Sequence, residues 1–223
     1  MKARWRLGWV LTYPGACWLF GLRVSGREWL GLGPQIIAAN HTSNFDPLIV
    51  GWACAREVHF LAKEELFRVS RLFGWLIRFW NAHPVRRDGA DTGAVRLCSR
   101  LLQEGQTVVL FPEGTRSPNG ALQPFKPGIG MLAILNRVPV VPMHIAGMAQ
   151  SLISYWVDRD IVRKGYRAKP RLNLRSLACP LGQVRVRFGE PVMPLRFLEG
   201  RPGYEALTQE VEARVRRLAE QDA

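Results

Sequence analysis

Short apolar, β-branched runs alternate with helix-like segments along most of this 223-residue chain. The strand-like runs occupy residues 35–39, 57–62, 107–111, 138–145 and 183–188. Segments with a helical pattern lie between them, at residues 46–56, 64–80, 92–104 and 128–136. Strands that alternate with helices predict an α/β domain whose central sheet is mixed but largely parallel and flanked by helices. A mixed-charge helix near the C-terminus is expected to pack at the periphery.

The composition is that of a chain with a packed core. Apolar residues make up 48% and charged residues 22%, which excludes a disordered chain, a collagen-like repeat and a polytopic membrane protein. The four cysteines, Cys17, Cys54, Cys98 and Cys179, show neither a C-x-x-C pair nor zinc-ligand spacing. We therefore expect reduced thiols and no metal site.

The charge balance indicates an anionic partner. Lys and Arg number 31 against 18 Asp and Glu, which gives a formal net charge of +13. Such a surface attracts nucleic acid, an anionic membrane or a phosphorylated substrate. A basic nucleic-acid-binding module is therefore the alternative from a different class. None of the common nucleic-acid motifs is present in the sequence, and no nucleic-acid partner is predicted.

The N-terminal segment is predicted to be a membrane-interface anchor. Residues 7–22 carry no charge, contain Pro14-Gly15 and are flanked by arginines. Sixteen uncharged residues interrupted by proline are too few for a transmembrane helix. The aromatic residues Trp5, Trp9, Trp18 and Phe20 suit an amphipathic helix at a lipid interface. A helix packed on the protein's own core, or a cleaved or spanning segment, is the alternative.

This interpretation divides the chain into an N-terminal helical anchor, residues 1–30, and an α/β domain, residues 31–223.

Residues 67–80 repeat the mixture of arginines with bulky aromatics and could also lie on anionic lipid. An ordinary amphipathic helix with a solvated basic face explains that segment equally well. A basic run from Arg159 to Arg175 could contact lipid head groups or an acidic carrier protein, or could be a solvated loop.

The polar segment after the first predicted strand, residues 40–47 (NHTSNFDP), is a candidate active-site loop. Ligands bind at the carboxyl ends of strands in α/β sheets. A turn could bring the Asp46 carboxylate onto the His41 imidazole, which would leave the other ring nitrogen as a general base. Alternatively, Asp46 caps the following helix and His41 only fills the loop.

A second polar loop follows the strand at residues 107–111 and reads FPEGTRS. Gly114 lets the backbone approach an anion, and Thr115 and Arg116 supply donors suited to phosphate. Glu113 could bond substrate hydroxyls or hold Arg116. A simple polar turn is the alternative.

Taken together, these two loops resemble the phospholipid and glycerophosphate acyltransferase family, particularly its bacterial 1-acyl-glycerol-3-phosphate acyltransferases. The pair of motifs is specific in combination, and further blocks resemble the family in the same order. They are residues 63–67 (KEELF), 73–75 (FGW), 125–128 (FKPG) and 138–142 (VPVVP). The resemblance extends from about residue 36 to residue 147, half of the chain.

One block departs from the family pattern. Where the family has Gly-x-Ile-x-Val-Asp-Arg, residues 81–87 read NAHPVRR. Arg87 aligns with the family's phosphate-binding arginine, whereas Arg86 stands in place of the common Asp and His83 in place of Ile. His83 could therefore line the site, while His59 and His144 are expected to be structural.

The resemblance implies a fatty acyl transfer from acyl-CoA or acyl carrier protein to the sn-2 hydroxyl of lysophosphatidate, which gives phosphatidate. His41 would be the base and Asp46 its orienting carboxylate. Residues that would bind the acceptor are Lys63, Arg87, Glu113, Gly114, Thr115 and Arg116. The thioester is a co-substrate, and no cofactor or metal is expected.

Acylation of glycerol 3-phosphate or of another lysolipid is the alternative reaction within the family. A membrane scaffold in which the two loops are inert is the non-enzymatic alternative. The expected location is the cytoplasmic face of the inner membrane, as a peripheral or monotopic protein.

Overall fold

In the computed structural model, which describes residues 3–85, 92–167, 179 and 181–222, the chain forms a seven-stranded sheet covered by helices on both faces. The strands are β1 (Arg23–Ser25), β2 (Gln35–Ala39), β3 (His59–Lys63), β4 (Ala82–Val85), β5 (Thr107–Leu110), β6 (Val140–Ala146) and β7 (Arg185–Phe188). The helices are α1 (Ala3–Phe20), α2 (Asp46–Cys54), α3 (Arg71–Phe79), α4 (Thr92–Gln103), α5 (Gly128–Asn136), α6 (Leu152–Val157), α7 (Arg159–Arg163) and α8 (Arg201–Glu220).

The sheet has the order β1-β7-β6-β2-β5-β3-β4 and is parallel except where β6 meets β7. The predicted class, a largely parallel mixed sheet flanked by helices, is therefore confirmed. β2 lies near the centre and is buried at all five positions, as expected for a strand covered on both faces. β5 and β6 pair with β2 on either side, so the segments that follow these three strands emerge at the same edge.

Successive residues of the central strands point to opposite faces and supply two cores. Ile37 and Val141 belong to the core that α1 and α2 cover. Ile36 and Val140 belong to the core that α4, α5 and α8 cover.

Some elements differ from the sequence prediction. The edge strands β1 and β4 were not predicted, because they are only three and four residues long and β4 contains Pro84. The predicted helix at residues 64–80 is divided into a 3₁₀ turn, Glu64–Arg68, and α3, whose N-cap Ser70 accepts a hydrogen bond from the Phe73 amide at 3.1 Å.

The C-terminal helix is more central than predicted. Leu207, Val211 and Val215 of α8 are fully buried, and α8 packs along β6 and α5. The expectation of a peripheral helix was wrong because these three apolar residues, four apart, form a stripe on one face of an otherwise charged sequence.

The N-terminal helix packs on the core with some of its aromatic side chains and exposes others. α1 continues through Pro14, so the predicted break is absent. Trp5 and Phe20 are buried in the core and therefore cannot act as lipid anchors, whereas Leu11 and Trp18 are exposed. Of the helices in the described ranges, none is both long enough and apolar enough to span a membrane. The division of the chain at residue 30 stays a prediction.

Candidate active site

Two loops at the carboxyl edge of the sheet form the candidate site. β2 and β5 pair in parallel with Ala38 opposite Leu110, so the loops that follow them start side by side. The Asn40 side chain anchors the first loop to β6, since it donates to the Ile145 carbonyl at 3.1 Å and accepts from the Ile145 amide at 2.7 Å. These two hydrogen bonds hold Asn40 against β6, and the next residue, His41, therefore lies just beyond the buried strand β2.

His41 and Asp46 form a hydrogen-bonded pair. His41 Nδ1 lies 2.9 Å from Oδ2 of Asp46, and the Asp46 side chain is fully buried. The same oxygen accepts the Thr42 amide at 2.6 Å and the Ser43 amide at 2.8 Å. Because the carboxylate oxygen is the acceptor, the Nδ1 position carries the proton and Nε2 is left as the basic nitrogen.

The loop geometry excludes Asp46 as the N-cap of α2. Asp46 is the first residue of α2, and the N-cap position is taken by Phe45 without a side-chain cap. The Asp46 carboxylate turns back to the amides that precede it rather than forward to the amides of α2. The carboxylate is therefore bonded to His41 and to its own loop instead of capping the helix.

The second loop holds His41 from the other side. The Phe111 ring stacks on the imidazole with 4.3 Å between ring centroids, which restricts the plane of the His41 ring. The Ser117 amide donates to the His41 carbonyl at 2.7 Å. Both the ring and the backbone of His41 are thus positioned by residues 111–117.

Glu113 acts on the backbone of the site. Its Oε1 accepts the His41 amide at 2.8 Å and its Oε2 accepts the Gln123 amide at 3.1 Å. Burial raises the pKa of the Glu113 carboxyl, while the two amides act in the opposite direction. Glu113 therefore connects the second loop to the backbone of His41. Of the two alternatives for Glu113, the contact with Arg116 is not formed, because Arg116 has other partners.

Arg116 is paired with two aspartates that sequence reasoning did not select. Its Nη1 donates to Asp158 Oδ1 at 2.8 Å and its Nη2 donates to Asp160 Oδ2 at 2.7 Å. The hydrogen bonds to these carboxylates raise the pKa of the guanidinium against the lowering effect of burial. Arg116 is thus a charged donor at the edge of the site, and its guanidinium is already paired with two carboxylates.

A buried arginine closes the network around the two loops. Arg167 donates to the Thr42 carbonyl, to the Ser117 carbonyl at 2.9 Å and to Asp158 Oδ2 at 3.2 Å. The interpretation of Arg167 as part of a lipid-facing or solvated basic run was wrong, because its side chain is only 6% exposed. No local pattern identifies its role, since the two loop carbonyls that it bonds lie 50 and 125 residues away.

Of the other predicted acceptor-binding residues, Gly114 and Lys63 lie at the same edge. Gly114 has φ +73°, and a Cβ there would lie 2.6 Å from Lys126 Nζ, which brings a lysine against the glycine loop. Lys126 was not selected as a site residue, although its FKPG segment was among the blocks that resemble the family. Lys63 ends β3 and, like Thr115, is exposed. Arg86 and Arg87 lie outside the described residues.

His59 and His83 form a pair on the adjacent strands β3 and β4. His59 Nδ1 lies 2.9 Å from His83 Nε2, and the two rings stack with 5.2 Å between centroids. His144 instead pairs with Asp222 near the C-terminus at 3.0 Å. In the described part of the chain, no group of three or more potential ligands could hold a metal ion.

An apolar cavity of about 350 Å³ opens beside the second loop. Its wall includes Phe111, which stacks on His41, and its polar lining includes Lys126. The remaining lining residues are Leu61, Val85, Ala94, Val95, Val109, Leu110, Pro112, Gly114, Gly128, Ile129 and Leu132. A site with an imidazole, a cationic edge and an apolar cavity suits an amphiphilic substrate with a charged end.

The fold and the paired loops define an α/β protein of the acyltransferase class. The family model described as Acyltransferase matches residues 21–146, more than half of the chain, and the chain belongs to this family. The resemblance inferred from the motifs is therefore confirmed.

Individual relatives agree with this assignment. The chain is 32% identical over 116 residues to the chloroplastic 1-acyl-sn-glycerol-3-phosphate acyltransferase BAT2 of Brassica napus, covering 51% of this chain and 33% of that protein. It is 24% identical over 202 residues to the 1-acyl-sn-glycerol-3-phosphate acyltransferase of Bacillus subtilis, covering 89% and 88%. The crystal structure of the 1-acyl-sn-glycerophosphate (LPA) acyltransferase PlsC of Thermotoga maritima matches with a TM-score of 0.67 and 27% identity, covering 96% and 78%. The chain thus spans a third of the length of the Brassica relative and most of the length of the Bacillus and Thermotoga proteins.

Proposed function

We propose that this protein transfers a fatty acyl group from acyl-CoA or acyl carrier protein to the sn-2 hydroxyl of 1-acyl-glycerol 3-phosphate, which yields phosphatidate. The observation that carries the proposal is the buried His41–Asp46 pair, with Nε2 of His41 left basic. The names of the bacterial and plant relatives support this acceptor.

The reaction needs one base and no nucleophile from the protein. His41 Nε2 accepts the proton of the acceptor hydroxyl as its oxygen attacks the thioester carbonyl carbon. Asp46 stabilises the imidazolium that forms, as the orienting carboxylate of a triad does. When the tetrahedral intermediate collapses, the C–S bond breaks and the leaving thiolate takes the proton from the imidazolium. His41 returns to its neutral state, and no acyl-enzyme forms.

The cationic edge is suited to the acceptor phosphate. Lys63 and Arg116 lie at the carboxyl ends of strands or in the loops that follow them, and Lys126 packs over Gly114. Charge-assisted hydrogen bonds from such groups to a phosphate would hold the hydroxyl close to His41. Thr115 is an exposed hydroxyl donor in the same loop, and Arg87 is proposed as a further phosphate ligand on the resemblance alone. Glu113 supports this site through the backbone amide of His41.

The apolar cavity is proposed to hold acyl chain. Its lining is mostly aliphatic and aromatic, and it includes Phe111, whose ring stacks on His41. Burying methylene groups there stabilises the bound substrate by about 0.8 kcal/mol for each group. A substrate with its phosphate at Lys126 and its chain in the cavity would present its polar backbone to His41.

We further propose that the protein works at an anionic membrane surface, on the cytoplasmic face of the inner membrane. α1 and α3 are neighbours, since the Trp5 and Trp80 rings contact each other with 4.9 Å between centroids. Both helices expose large apolar side chains; the exposed residues, which we call the α1–α3 surface, are Leu7, Val10, Leu11, Leu72, Trp75 and Leu76. Such a surface next to arginines favours attachment to anionic lipid.

The test is thiol release from palmitoyl-CoA after addition of lysophosphatidate to the detergent-solubilised protein. We expect acceptor-dependent release, and its loss in His41→Ala, because the hydroxyl then has no base. Glycerol 3-phosphate and other lysolipids, assayed with the same donor, separate the acceptors within the family, and acyl carrier protein thioesters test the donor. Turnover unchanged in His41→Ala would contradict the mechanism.

A further inference from the structure

The two aspartates that pair with Arg116 are in very different environments. Asp158 is fully buried, whereas the Asp160 side chain is 58% exposed. The Arg116 side chain between them is 20% exposed. The guanidinium therefore has one permanent partner inside the protein and another on the solvent side.

Asp158 is part of the framework of the site. Its Oδ1 accepts the Asn44 amide at 2.9 Å in addition to Arg116. Its Oδ2 accepts Ser154 Oγ at 2.7 Å and the Arg167 guanidinium at 3.2 Å. These bonds link the loop that contains His41 to Arg116, so moving Asp158 would disturb both.

Asp160 forms a two-point contact with Arg116 and does not touch the His41 loop through any of its described hydrogen bonds. Its Oδ1 and Oδ2 lie 3.2 and 2.7 Å from Nη1 and Nη2. This arrangement of two oxygens against a guanidinium edge is also the arrangement that a phosphate adopts on arginine. An exposed carboxylate pairs weakly, because water screens it.

We propose that Asp160 occupies the phosphate position on Arg116 in the absence of acceptor, and that the acceptor phosphate displaces it. Asp158 keeps Arg116 and the His41 loop in place in both states. The inference rests on the proposed function and assigns roles to two residues outside the sequence motifs: Asp160 sets the affinity for the phosphorylated acceptor, and Asp158 is a positioning residue.

The charge of the phosphate and the solvent exposure of Asp160 both favour the displacement. A phosphate monoester carries up to two negative charges against one for the carboxylate, so it competes favourably for the same donors. The Asp160 side chain can rotate into solvent, where its charge is hydrated at little cost. Asp158 cannot leave in this way, because its charge would lose four partners inside the protein.

The test separates KM from kcat in two variants. In Asp160→Asn, we expect the KM for lysophosphatidate to fall about two- to fivefold, the effect of removing an exposed competing ion pair, while kcat stays within about twofold. In Asp158→Asn, we expect kcat to fall about tenfold or more, because the bond to Asn44 that positions the His41 loop weakens.

Two controls isolate the contact with Arg116. Glu205→Gln removes another exposed acidic partner of an arginine, Arg201 on α8, and reveals any effect of net charge alone. In an Arg116→Ala background, Asp160→Asn should no longer change the KM, because Asp160 affects acceptor binding only through the Arg116 guanidinium. A KM that falls equally in Glu205→Gln would overturn the proposal.

Titration calorimetry with inorganic phosphate tests the same exchange without acyl transfer. We expect tighter phosphate binding in Asp160→Asn than in the wild-type protein, by a factor similar to the change in KM. If the wild-type protein releases no thiol, the proposed function fails while this titration still tests Asp160. Unchanged phosphate affinity and unchanged KM in Asp160→Asn would refute the role of Asp160.

Discussion

Three donors converge on one oxygen of Asp46, and this convergence sets the geometry of the base. The amides of Thr42 and Ser43 hold Oδ2 in place, and the same oxygen then fixes Nδ1 of His41. The carboxylate is thus held by the backbone of the loop that carries the histidine. A rigid orienting group of this kind loses little entropy when the substrate binds.

Replacing Asp46 with asparagine tests that arrangement. An amide oxygen can still accept the backbone bonds, but it cannot stabilise the imidazolium by charge, so we expect kcat to fall about 10²- to 10⁴-fold. Steady-state kinetics at saturating acceptor measures this, with thermal unfolding as the control for folding. A well-folded variant with wild-type kcat would contradict the role of Asp46.

His144 provides a pH-dependent contribution to stability and pairs with Asp222 near the C-terminus. Burial lowers the pKa of His144 below its ordinary value of 6.5, although Asp222 opposes the shift, and Arg185 and Arg187 add to it. Well above pH 6.5 the imidazole is neutral in both the folded and unfolded states and contributes no pH dependence. As the pH falls through 6.5, the unfolded chain takes up the proton first, which favours unfolding.

We therefore expect the free energy of unfolding to fall between pH 7.5 and pH 5.5, and to fall less in His144→Gln. Urea unfolding of both proteins at the two pH values measures the difference. The Asp222 carboxyl does not interfere, because its pKa is lowered below its ordinary 3.8 by Arg187 and His144 acting against burial. An equal pH dependence in the two proteins would exclude His144 as its source.

At the scale of elements, α5 packs closely on α8. These helices cover the face of the sheet on which the apolar cavity lies. The Gly130 amide donates to Thr208 Oγ1 at 3.2 Å, which indicates how near the two helices approach. A Cβ on Gly130 would lie 2.0 Å from the Tyr204 carbonyl oxygen and 2.7 Å from Thr208 Oγ1. Only glycine permits this approach without a backbone shift.

Gly130→Ala should therefore destabilise the protein by about 1–3 kcal/mol, the usual cost of overpacking. Gly128 in the same helix is the matched control, because a Cβ there meets no atom within 4 Å. For Gly128→Ala we expect no loss and a gain of up to about 1 kcal/mol from reduced freedom of the unfolded chain. Urea unfolding of the pair measures both, and equal effects would contradict the packing argument.

At the scale of the whole molecule, the proposed membrane attachment would account for both the positive charge and the exposed apolar residues. The net charge of +13 would attract the protein to anionic lipid over several ångströms. The α1–α3 surface would then insert apolar side chains at short range. The insoluble acyl chains of the proposed substrates make such a location useful.

A pair of leucine variants tests the surface. In Leu72→Ser/Leu76→Ser, we expect co-sedimentation with vesicles of phosphatidylglycerol and phosphatidylcholine to weaken about tenfold or more, because two side chains no longer insert. Leu195→Ser/Leu198→Ser is the matched control, since these leucines are also highly exposed but lie outside the α1–α3 surface. Equal weakening in both variants would show that general hydrophobicity, and not this surface, drives binding.

The sequence by itself determined the class of fold, the central strands and the paired motifs. β2 and α5 have the predicted bounds, because a continuous apolar run and a bounded helical pattern are local signals. The His41–Asp46 pair was also predictable, since the two residues are five apart in one loop and a single turn brings them together.

Only the tertiary structure decided how Arg116 is partnered and what surrounds the base. Asp158 and Arg167 reach the two loops across 42 to 125 residues of sequence, and no periodicity or spacing encodes such contacts. The same is true of Trp5 and Phe20, which resembled lipid anchors and are core residues. Local patterns record which side chains are apolar or charged, whereas their partners are set by the packing of elements that the chain brings together from a distance.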